Sequence, residues 1–91
     1  MQKVNFYRTT INETNESFSL EGCINAVFQN FGTASVSIDG TELETGESFP
    51  IDTAGMPFGP NNNLQIVFKE EEGKNLLFRC VRLSKNKCDN Q

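Results

Sequence analysis

The segment Ala34-Ser35-Val36-Ser37-Ile38-Asp39-Gly40 constrains this chain more than any other. Apolar residues alternate with hydroxyls over five positions, the period of a strand with one dry and one wet face. Asp-Gly follows at once, and both residues tolerate the positive φ that a two-residue type I′ hairpin turn demands. Leu43 then leads into Glu44-Thr45-Gly46-Glu47, a second turn signal, after which Phe49 and Ile51 resume the apolar face. The spacing predicts a meander of short antiparallel strands.

The same period recurs on both sides. Ile24, Ala26 and Phe28 alternate with Asn25, Val27 and Gln29, and Leu64, Ile66 and Phe68 alternate with Gln65, Val67 and Lys69. Glu70-Glu71-Glu72-Gly73-Lys74 reads as a charged hairpin loop, and the returning strand spans 75–83. That strand places Leu76, Phe78 and Cys80 on one face and Leu77, Val81 and Leu83 on the other. Apolar residues on both faces imply a central strand, or one whose outer face a partner covers. Shorter candidates lie at 4–8 and 17–21, with Phe18 and Leu20 pointing inward. No segment of useful length has a helical period. About seven short strands with a turn every ten residues or so predict an all-β fold. The expected architecture is a small antiparallel β-sandwich, immunoglobulin-like or jelly-roll-like.

With 91 residues there is room for one core. One domain over 1–83 is expected, with 84–91 as a flexible polar tail that lacks an apolar anchor. The first residues lack the apolar run of a signal peptide, and no stretch approaches a membrane span. Cys23, Cys80 and Cys88 make an odd number without such a signal, which favours free thiols in a reducing compartment. Cys23 and Cys80 fall within apolar strand patterns and read as core residues, a disulfide between them being the sharper alternative. Cys88 falls in the polar tail and is expected to be exposed.

Charge is unevenly spread. Residues 9–68 hold eight acidic side chains and no Lys or Arg, whereas Lys3 and Arg8 precede them and Lys69, Lys74, Arg79, Arg82, Lys85 and Lys87 follow. An acidic body and basic ends would let neighbouring copies meet head to tail. The bland alternative is a soluble surface.

The chemistry these residues support is narrow. There is no His, hence no usual general base and no commonest zinc ligand. The cysteines are not at zinc or redox spacing. An enzyme is not expected, nor a cofactor. Carboxylates gather at Asp39, Glu42, Glu44, Glu47 and Asp52, without the spacing of a calcium loop, so a solvated acidic rim is the simpler account. Two glycosylation sequons at Asn12 and Asn15 are no more than chance predicts for this composition. An acidic body repels phosphates, which argues against nucleic acid.

The longest irregular stretch runs from Asp52 to Asn63. Pro57 and Pro60 stiffen it and remove ladder donors. Met56 and Phe58 would project from this support into a neighbour's groove, or fold back and plug the sandwich end. Met56, Pro57 and Phe58, with Leu77, Val81 and Leu83 from the two-faced strand, are the candidate partner-binding residues.

The stretch from Asn30 to Phe49 has an Asn-x-Gly turn, an alternating strand, an Asp-Gly turn and Leu43-x-x-Gly46-x-Ser48-Phe49. It resembles small β-sandwich virion proteins of tailed bacteriophages. The resemblance implies a non-enzymatic structural protein of the particle, a head decoration or a connector of head, tail or fibre. It would act in many copies and bind other virion proteins or itself. It carries over no catalytic residue. Two other readings stay open. One is a carbohydrate-binding or adhesion module using Tyr7, and the other a small acidic inhibitor or regulatory protein.

Overall fold

The computed structural model describes residues 4–83, with the backbone alone for Val4 and Leu83. Eight strands are present: β1 (Val4–Ile11), β2 (Asn15–Ser19), β3 (Cys23–Asn30), β4 (Val36–Ile38), β5 (Thr41–Leu43), β6 (Ser48–Ile51), β7 (Asn63–Phe68) and β8 (Leu76–Leu83). Among the described residues there is no helix, and so none long and apolar enough to cross a membrane.

Asp39 and Gly40 have φ of 50° and 93° and join β4 to β5, as a type I′ turn requires. From this turn the chain folds back on itself. β4 pairs with β5, β3 with β6, β2 with β7 and β1 with β8, all antiparallel. Pairing of β3 with β8 and of β4 with β7 completes two four-stranded sheets, ordered β1-β8-β3-β6 and β2-β7-β4-β5. This nested order is that of a jelly roll, which decides between the two sandwich types expected.

The order corrects two local expectations. The meander stops at β5, because β6 crosses to the opposite sheet and pairs with β3. The charged loop 69–75 likewise links two sheets rather than forming a hairpin, since β7 and β8 belong to different ones. Local alternation finds strands and turns but not which sheet a strand joins.

A third correction lies in β3. Its register against β8 shifts between Ile24 and Val27. There Asn25 has a positive φ of 52°, and its Oδ1 accepts hydrogen bonds from Thr53 N at 2.9 Å and Thr53 Oγ1 at 3.1 Å. This bulge inserts one residue, so Cys23 joins Ala26 and Phe28 on the core face, while Ile24 turns to the other face but stays buried.

The core lies between the sheets. Phe28 and Phe78 are fully buried with ring centroids 4.8 Å apart, and Phe18 packs edge-on against Phe78 at 4.9 Å. Burying each fully enclosed ring contributes about 1.5–3 kcal/mol. Val36, Ile38, Ile66 and Leu76 fill the rest, with Phe49 and Ile51 closing one side.

One polar side chain is buried among them. Asn30 Nδ2 donates to Ala34 O at 2.9 Å and Leu43 O at 3.1 Å, and its Oδ1 accepts from Gly32 N at 2.9 Å. Its backbone bonds Glu47 and Gly46 as well. Gly32 sits against Gly73 O, where a Cβ would collide with backbone. The Asn-x-Gly turn is therefore a staple between loops at one end of the sandwich.

Candidate interaction face

Because Leu76, Phe78 and Cys80 are buried, the alternate residues of β8 (Leu77, Arg79 and Val81) stand on the outside of the first sheet. β8 is flanked by β1 and β3, so it is central, as its two apolar faces implied. The registers place its neighbours. Phe6 is opposite Val81, Arg8 opposite Arg79 and Thr10 opposite Leu77 on one side. Ile24, Val27 and Gln29 are opposite Val81, Arg79 and Leu77 on the other, and Pro50 extends the middle row.

Phe6 dominates this face. It is 90% exposed, more than any other large apolar residue among those described, and lies between two shallow clefts. One, of about 300 Å³, is lined by Phe6, Tyr7, Arg8 and Arg79. The other, of about 200 Å³, is lined by Phe6, Val27, Val81 and the bulge at Asn25, among others. An apolar ridge beside paired cations suits contact with a surface both apolar and negative.

The sequence candidates are distributed unevenly with respect to this face. Leu77 and Val81 lie on it, half-buried. Leu83 ends β8, and its side chain lies outside the described residues, as do Cys88 and the whole tail at 84–91. Met56 and Pro57 are exposed on the loop at the sandwich end, Met56 by 66%. Phe58 does not project with them. Its N–H donates to Cys23 O at 3.0 Å and its carbonyl accepts from Gly22 N at 2.8 Å, and the anchored ring packs against the core.

Phe6, Arg8 and Arg79 escaped the sequence reading. In Val4-Asn5-Phe6-Tyr7-Arg8 both parities carry an aromatic ring, so alternation alone cannot tell the wet face from the dry one. Only the register against β8 settles it.

Tyr7 has the other parity, opposite Cys80, and keeps 38% of its surface in solvent at the sheet edge. Its ring meets Phe78 edge-on at 6.2 Å, and the Arg82 guanidinium lies 4.2 Å from its centroid. Arg82 Nη2 also donates to Cys23 Sγ at 3.6 Å. One face of this ring is thus already taken by a cation. Cys23 and Cys80 are both buried free thiols. Burial pushes the Cys80 thiol up to about 11, reinforced by its neighbour Cys23, so it stays protonated and unreactive near neutrality.

Four of the five clustered carboxylates each have a partner of their own. Glu42 pairs with Lys69 at 3.4 Å, Glu44 accepts from Ser35 Oγ at 3.0 Å, Glu47 from Glu44 N at 2.8 Å and Asp52 from Ala54 N at 2.9 Å. Among the described residues no three His, Cys, Asp or Glu side chains gather as a metal site would need. Comparisons of the chain with protein families, with curated proteins and with solved structures return no match.

Proposed function

We propose that this chain is a non-enzymatic structural or interaction protein that docks other proteins through the outer face of the β1-β8-β3-β6 sheet. One observation carries the reading: the central strand β8 has apolar residues on its outer side, next to a phenylalanine that is almost wholly in solvent. Contiguous exposed apolar surface of this kind marks an interaction site. The thiols are buried and the carboxylates are spread over separate bonds, so neither group offers a reactive cluster.

The particular setting we propose is a bacteriophage particle, as a head decoration or a head, tail or fibre connector. The Asn30–Phe49 resemblance supports it, and so does the jelly-roll order, an architecture that viral capsid and lectin domains use. The second support is an analogy of fold, which many functions share. The lectin alternative is disfavoured by the Arg82 guanidinium over Tyr7.

Co-expression with the products of adjacent genes tests the reading. A stoichiometric complex that is lost in a Phe6→Ser, Val81→Ser double variant of unchanged melting temperature supports it. A chain that stays monomeric and forms no complex with any neighbour overturns it.

A further inference from the structure

The four edges of the two sheets are not alike. β6 is short and carries Pro50, which cannot donate to a ladder. β5 has three residues, and β2 has five with a register shift against β7. Each of these features discourages pairing with another chain. β1 has none of them. It runs eight residues in unbroken register with β8, without proline or bulge. Among the described residues, nothing hydrogen-bonds to its other side.

We propose that the free edge of β1 receives an extended segment of another protein, in which apolar and acidic residues alternate, as a fifth strand of the first sheet. The inference rests on the interaction reading above and names the partner's chemistry. Backbone bonds along the open edge supply affinity, and side chains of alternate residues supply selectivity. An added strand continues the outer face past Phe6 and Arg8, so its outward side chains meet an exposed aromatic ring and the Arg8 guanidinium, with Arg79 one strand further in. Arg8 and Arg79 are neighbours across the ladder, and neither has an acidic partner among the described residues. Carboxylates on the incoming strand would pair with Arg8 and ease its repulsion with Arg79.

A second copy fits this edge poorly. Pairing β1 with β1 would bring four arginines onto one continuous face with no acid between them, and the chain's other edges are blunted. The residues that follow β8 in sequence are also unsuitable, since 84–91 carry Lys85 and Lys87 against Asp89 and no aliphatic or aromatic side chain.

The test uses the full chain and two capped octapeptides, one alternating valine with glutamate and the other valine with lysine. Amide hydrogen exchange is followed by NMR during titration. The glutamate peptide is expected to slow exchange at β1 amides and to bind about tenfold more tightly than the lysine peptide, with the ratio shrinking as salt rises. An Arg8→Glu, Arg79→Glu double variant should reverse the preference. Equal binding of the two peptides, protection at β6 instead of β1, or dimerisation of the chain through β1 without peptide would each overturn the proposal. If neither peptide binds while the Phe6→Ser, Val81→Ser variant still loses a neighbour's complex, strand addition falls and the interaction reading stands.

Discussion

Arg8 stands directly opposite Arg79 across the β1–β8 ladder, two like charges in adjacent positions on one exposed face. Such cross-strand pairs are unfavourable, and no carboxylate among the described residues relieves this one. The arrangement makes sense as a site that is completed from outside.

Replacing one member should therefore help the isolated protein. Arg79→Thr is expected to raise stability by about 0.5 kcal/mol at low salt. The gain should fade in high salt as the repulsion is screened. Urea denaturation at two ionic strengths measures it, and a loss at both would mean that Arg79 has a favourable contact of its own.

The stiff loop separates into a structural half and a free half. Phe58→Ala should cost about 2 kcal/mol, because the ring packs against the core but is only partly buried. Met56→Ala should change stability by less than about 0.5 kcal/mol. Thermal melts of the two variants side by side give the comparison, and equal losses would contradict the packing described.

Asn30→Ala would remove the side-chain partner of Gly32 N, Ala34 O and Leu43 O in a buried setting. The expected cost is about 3 kcal/mol or more. Chemical denaturation reports it, and a change below about 1 kcal/mol would show that water replaces the amide at little cost.

Alkaline pH should expose the buried thiol. The pKa of Cys80 is raised in the folded protein to about 11 from 9.0. Folded protein thus holds its proton where the unfolded chain releases it. The contribution to stability is whole below pH 9 and is lost as pH rises towards 11. Cys80→Ala should flatten that part of the stability profile relative to the parent chain, and an unchanged slope would remove Cys80 as its source.

Much of the fold was legible because Asp39-Gly40 fixes a hairpin and Val36, Ile38, Leu76 and Phe78 obey a strict period of two. Sheet membership was not, because β6 and β7 look alike in local pattern whichever sheet they enter. The bulge at Asn25 was hidden for a related reason. Asn25 tolerates positive φ, but nothing in its neighbours announces that Thr53, far along the chain, would bond it there. Of the interaction face, Leu77 and Val81 were readable from an apolar strand with two dry sides. Phe6 and the arginine pair needed the alignment of two strands from opposite ends of the chain.

The nested pairing also sets an order of events. A chain that closes first at Asp39-Gly40 brings each next pair of strands within short reach, so that the entropy of closing a long loop is met in small steps. The pair formed by β1 and β8 joins residues most distant in sequence and is expected to come last. Its hydrogen bonds should open first in native-state exchange, before those of β3 with β8. The strand most open to a partner would then also be the outermost tooth of the zipper, and a partner seated along it would lock the whole closure.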